Sequence, residues 1–166
     1  WYLFQHDCRQ NWADSRTSGQ PYFSFRYFVE HGQLDRMRVL RESLLAVNRN
    51  MNKNLCGWFA GMFTGLNPSI EEQLALQPEI LAVLSAPHSR PVNTILGLLK
   101  DLCVHPQFRI EEFLNQTSVL FASDVKAVHQ NTLAVLNKLA KERKEFRDTI
   151  CCVAAQGLMS REESTQ

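Results

Sequence analysis

Apolar residues recur at helical spacing along most of the chain. Between Gln33 and Arg49, Leu34, Met37, Leu40, Leu44 and Val47 form one stripe, with Arg38 and Glu42 as an i,i+4 pair on the other side. Leu55, Trp58, Phe59 and Met62 form a second stripe. Val125, Val128, Thr132, Val135, Leu136 and Leu139 form a third. The block Tyr22–Val29 alternates like a strand at Phe23, Phe25, Tyr27 and Val29, but its length and Phe28 equally suit a buried helix. Because every later segment is helical, we read it as a helix. Ser69-Ile70-Glu71-Glu72 is a capping box, with Ser69 at the N-cap and Glu72 at N3. Pro78 and Pro91 suit the first turns of helices, and Pro87 and Pro106 suit connections. The pattern predicts helices over 77–86, 91–104 and 107–116, and Ser123 as the cap of the helix that follows. Gly57, Gly61 and Gly65 recur every four residues, which leaves one side of their helix nearly bare for close helix packing.

These segments predict an all-α chain of seven to nine helices. Residues 1–21 read as a loop-rich segment, 22–160 as one helical domain and 161–166 as a polar tail. A shift of 38 residues brings two stretches into register: Asn93-Thr94 falls on Asn131-Thr132, Ile95 on Leu133, Leu98 on Leu136, Lys100 on Lys138, and Phe108-Arg109 on Phe146-Arg147. One such unit cannot bury its apolar face alone, and stacking neighbours completes the core.

The run Asn131–Ala140 resembles the last helix of an armadillo repeat. Phe146-Arg147-Asp148-Thr149-Ile150, followed by Gly157-Leu158, is similar to the start of the next repeat, and Ile95–Phe113 is a looser copy. HEAT repeats share the period. The resemblance covers residues 80–160; the aromatic block 22–29 and the glycine-spaced helix 54–65 depart from it. It implies a short right-handed α-solenoid, a fold that binds other macromolecules along an extended surface.

Composition narrows the function classes. The 166 residues are 45% hydrophobic and 21% charged, which excludes a disordered segment. No run of eighteen apolar residues occurs, so no membrane span is expected. Lys and Arg number 18 against 17 Asp and Glu, and the balance holds in each half, so there is no overall basic excess for nucleic acid. The five cysteines Cys8, Cys56, Cys103, Cys151 and Cys152 include no C-x-x-C, and three sit among apolar residues. They read as reduced thiols of an intracellular protein, cytoplasmic or nuclear, against which stands one sequon, Asn115-Gln116-Thr117.

Catalytic constellations are absent at any readable spacing. His6-Asp7-Cys8 reads as an ordinary surface segment rather than a Cys–His nucleophile pair or a metal site. His31, His88, His105 and His129 lack metal-ligand spacing, and Glu71-Glu72 and Glu111-Glu112 read as acids favoured at helix starts. No phosphate-cradling motif occurs, so no enzyme, cofactor, metal or small-molecule substrate is expected. Lys138, Lys141, Arg143, Lys144 and Arg147, interleaved with acids, read as an ion-paired face. Arg36, Arg38, Arg41, Arg49 and Lys53 have fewer acidic neighbours and are candidates for binding a partner. Trp58 and Phe59 read first as core, and as contact anchors if their helix ends the stack. The leading expectation is a non-catalytic protein-binding scaffold or adaptor module, a piece of a larger protein whose partners are other proteins or neighbouring repeats of its own chain. A second reading is an RNA-binding helical repeat using Arg36–Lys53, and a third a secreted helical bundle of cytokine type.

Overall fold

The computed structural model describes residues 1–6, 20–49 and 51–163, with backbone placement alone for 20–24, 156 and 158–163. Asp7 and Cys8 therefore lie outside the described residues. Nine α-helices and no strand occur among the described residues: α1 Gln20–Glu30, α2 Arg36–Val47, α3 Lys53–Gly65, α4 Ile70–Ala75, α5 Gln77–Ala82, α6 Ser89–Leu102, α7 Ile110–Phe121, α8 Lys126–Glu142 and α9 Arg147–Glu163. The fold is all-α, and the aromatic block of residues 22–29 lies in a helix.

Local chemistry sets most boundaries. Asp35 caps α2 by accepting from the Arg38 N–H, and Asn52 caps α3 by accepting from the Leu55 N–H. Both halves of the Ser69–Glu72 capping box are formed, and Pro78 occupies the first turn of α5. Three expectations need correction. The helix predicted over 107–116 runs from Ile110 to Phe121, because the Gln77 side chain accepts from the Arg109 N–H at 2.8 Å and holds Arg109 outside helical geometry. Ser123 does not cap α8: its hydroxyl accepts from Val125 N–H at 3.2 Å and shapes the preceding turn. Arg38 does not pair with Glu42. Its guanidinium lies 3.9 Å from the centre of the Trp1 ring, while Glu42 pairs with Arg49.

Helix contacts form two rows. In one, α3 lies against α6 and α6 against α8; in the other, α2 contacts α5, α5 contacts α7 and α7 contacts α9. The rows join where α2 meets α3, and where α8 meets α7 and α9. Phe25 of α1 meets Trp58 of α3 edge-on, with ring centres 6.1 Å apart. The core runs between the rows. Leu44, Phe59, Phe63, Ile80, Leu84, Ile95, Leu99, Phe113, Val135 and Leu139 are all buried in it. Each large side chain so buried contributes about 1.5–3 kcal/mol.

Polar bonds between neighbouring helices follow the repeat. Asn131 Nδ2 donates to Asn93 Oδ1 at 2.9 Å, so two residues equivalent under the 38-residue shift bond directly. Lys138 meets Asp101, Arg143 donates to the His105 and Pro106 carbonyls, and Ser85 donates to Gln116. Gln77 links the Leu74 and Gln107 carbonyls. Both stretches, α6–α7 and α8–α9, are two helices joined by a turn, with α6 against α8 and α7 against α9; α8 also packs on α9, whereas α6 and α7 lie apart.

Candidate functional site

The predicted partner-binding residues do not form one free patch. Arg36 Nε and Nη2 grip Glu72 at 2.7 and 3.0 Å, and the same Nη2 donates to the Leu66 and Asn67 carbonyls. Asn67 has a positive φ of 49°, so Arg36 ties the end of α3 to the start of α4 at an unusual turn. The bond from Arg36 holds the Glu72 carboxyl below the usual carboxylate range, and Glu72 raises the Arg36 pKa in return. Arg41 pairs with Glu79 at 3.0 Å, and Arg49 joins Glu42 and the Phe4 carbonyl. Arg38 and Lys53 are the two of the five that stand exposed and outside an ion pair among the described residues, and Arg38 lies over the Trp1 ring. The acids that neutralise Arg36 and Arg41 are 36 and 38 residues away, beyond the reach of local sequence reading.

Trp58 and Phe59 are likewise corrected as anchors. They are 7% and 0% exposed, because α3 is enclosed by α1, α2 and α6. Phe59 stacks on Phe4 with ring centres 5.4 Å apart. Gly57 does serve close packing: a Cβ there would come within 2.9 Å of Arg90 Cδ from α6. At Gly65 a Cβ would meet nothing within 4 Å, so the packing role does not extend along the whole series.

The surface that sequence reasoning missed is the outer face of α3, α6 and α8. Arg90 reaches over Gly57, which joins α3 to α6, and the Asn93–Asn131 bond joins α6 to α8. Lys100 Nζ donates to Asn131 Oδ1 at 2.7 Å along the same seam. The matched order of Asn93 with Asn131 and Asp101 with Lys138 makes α6 and α8 parallel. These three helices carry Lys53, Arg90, Lys100, Lys126, Lys138 and Lys141 against Asp101 and Glu142. The short helices α4 and α5, with α7, carry Glu71, Glu72, Glu79, Glu111 and Glu112 and no Lys or Arg. The chain has a net charge of only +1, yet α3, α6 and α8 are predominantly basic while α4, α5 and α7 carry acids alone. The signal was present in the sequence, but only the assignment of helices to rows makes it visible.

Two recesses lie on the surface of the described residues. One of about 320 Å³ lies between the 83–89 turn and the α7–α8 loop and is lined by Leu84, Val92, Val119, Val125 and Val128. The other, about 330 Å³, is bordered by Phe108, the paired Arg109 and Glu112, Arg143 and Phe146. Ser89, Ser123 and Asp124 also line the first. Among the described residues, no group of three or more His, Cys, Asp or Glu could hold a metal ion, and no helix is long and apolar enough to cross a membrane. The Cys103 thiol is pushed up to about 11 by burial, which leaves it inert at neutral pH. His6 stacks on Tyr2, and His88 lies 3.3 Å from the Met51 carbonyl.

Residues 1–127 match the family described as a domain of unknown function, DUF6493. The chain belongs to this family. No curated protein and no solved structure matches it. The DUF6493 match covers α1 to α7 and the start of α8, so the second of the two similar stretches lies mostly beyond it.

Proposed function

We propose that this DUF6493 chain is a non-catalytic helical-repeat module, an armadillo- or HEAT-like right-handed α-solenoid segment that binds other proteins as part of a larger intracellular scaffold. The observation that carries this reading is the direct bond between Asn93 and Asn131, residues one repeat apart on neighbouring parallel helices. Side-by-side bonding of equivalent residues is what stacking of like units produces. Such stacking presents a broad surface of regularly spaced side chains, which suits recognition of an extended macromolecule. The free thiols at Cys56, Cys103, Cys151 and Cys152 support an intracellular setting, cytoplasmic or nuclear, over the secreted bundle. The RNA reading has lost its basis in Arg36–Lys53, since Arg36, Arg41 and Arg49 are committed to carboxylates within the fold.

Purification of the full protein from its own cells, after mild crosslinking and nuclease treatment, tests the proposal. The expected result is a protein recovered in a fixed ratio to the chain. Recovery of nucleic acid alone in parallel samples without nuclease, or turnover of a small molecule by the pure protein, would overturn it.

A further inference from the structure

We propose that the outer face of α3, α6 and α8 docks an extended, carboxylate-rich segment of a partner protein. This rests on the scaffold reading above and assigns its surface and the chemistry of its partner.

The first observation is charge without internal compensation. Lys138 is paired with Asp101 at 3.2 Å, but Lys53, Arg90, Lys100, Lys126 and Lys141 form no ion pair among the described residues. The remaining acid of these helices, Glu142, stands at the far end of α8. The arginines of α2 differ, since Arg36 and Arg41 are neutralised by Glu72 and Glu79.

The second observation is where these cations sit. Lys53, Arg90 and Lys126 occupy the first turns of α3, α6 and α8, and no acid shares those turns. A cation at the positive end of a helix is disfavoured. The first turns of α4, α5 and α7 follow the favourable rule with Glu71, Glu72, Glu79, Glu111 and Glu112. These three helix starts therefore hold cations where acids are favoured, and none of the three forms an ion pair among the described residues. Arg36 and Arg38 likewise open α2, but Arg36 is bound to Glu72 and Arg38 lies over the Trp1 ring. An anionic partner laid across the starts of α3, α6 and α8 would supply the missing counter-charge.

The face is also open. Gly97 lies exposed on α6, and a Cβ there would meet nothing within 4 Å. Thr94 on α6 and Ala134 on α8 keep the neighbouring surface low, so a peptide backbone can approach between the cations. A carboxylate-rich peptide fits better than nucleic acid. The exposed large aromatics Trp1, Tyr2, Tyr27 and Phe28 all lie outside these helices, and Trp58, Phe59 and Phe63 of α3 are buried. Among the described residues, no large aromatic ring on this face is available for base stacking, on which single-strand binding depends.

Fluorescence anisotropy with the full chain tests this. The probes are a labelled peptide of alternating glutamate and glycine, a lysine–glycine peptide of equal length, and a labelled oligouridylate. At low salt the acidic peptide should bind more tightly than either other probe, and salt should weaken it. Gly97→Glu should weaken binding at least about tenfold, as should Lys53→Glu with Arg90→Glu, while Glu111→Lys on the other row leaves it unchanged. Gly97→Glu is informative because the space is open and glutamate forms helix better than glycine, so the fold survives; an unchanged circular dichroism melt verifies that. Acidic-peptide binding that is absent, indifferent to Gly97→Glu, or weaker than oligouridylate binding overturns the proposal. If a protein still co-purifies with the Gly97→Glu chain at wild-type yield, this surface fails while the scaffold reading stands.

Discussion

The α2–α4 corner and the paired stretches α6–α7 and α8–α9 are built by different means. The corner is heterogeneous. Rings of Phe4, Phe25, Trp58 and Phe59 meet at 5.0–6.1 Å, and a single arginine, Arg36, joins one carboxylate to two carbonyls. The later stretches use mainly aliphatic layers, with Phe108, Phe113 and Phe121 spread along α7 and its approach, and polar links such as Asn93 with Asn131. The corner concentrates its stability in a few side chains, while the later stretches divide it among many. A single substitution should therefore cost more in the corner, unless it strikes a place where two helices of the later stretches nearly touch.

Phe59→Ala should break this contrast most visibly. The ring is fully buried, and its loss should cost about 3–5 kcal/mol in chemical denaturation. A cost no larger than that of Val135→Ala would erase the distinction between the regions. Gly157→Ala tests the exception. A Cβ at that position of α9 would fall 2.1 Å from Phe121 Cδ2 of α7, so the helices must part, at about 1–3 kcal/mol. Hydrogen exchange should show the loosening confined to α7, α8 and α9.

Arg36→Met should cost about 1–2 kcal/mol near neutral pH, since it leaves two carbonyls without the guanidinium donor and Glu72 with only the Ser69 N–H. The pH dependence has a defined sign. Glu72 is held below its ordinary value by the bond from Arg36, so the pair's contribution is full above the unfolded carboxyl value of about 4.3 and fades as pH falls through the lower folded value. The gap between wild type and Arg36→Met should accordingly narrow in acid. A gap that is constant down to full protonation would remove Glu72 from the explanation. Smallest in effect, Gly97→Ala should raise stability by about 0.5–1 kcal/mol, because its site is helical and open.

The helices were legible because their apolar spacing is local, and so was the Ser69–Glu72 box, whose partners are three residues apart. Of the pairs that the 38-residue shift brings into register, Asn93 and Asn131 are bonded directly, a contact between neighbouring helices that the matching side chains pointed to. The arginine stretch was misread for the opposite reason. Its acids come from α4 and α5, and no local pattern announces them. Arg38 was assigned to Glu42 by helical spacing, but Trp1, which lies far along the chain, offers a ring at 3.9 Å. The basic outer face was hidden because its charges are scattered among acids in the sequence and separated only when alternate helices enter different rows.

The polar bonds that stitch Arg36 to Glu72, His88 to Met51, Lys100 to Asn131 and Arg143 to His105 join residues 36, 37, 31 and 38 positions apart. The wiring is short-range at the scale of the whole molecule, since each of these bonds spans at most 38 of the 166 residues. Ordering one hairpin at a time closes only short loops, which favours rapid assembly from whichever segment forms first. The same wiring would let evolution lengthen the chain by duplicating a hairpin, since the added unit would need to satisfy only its two neighbours.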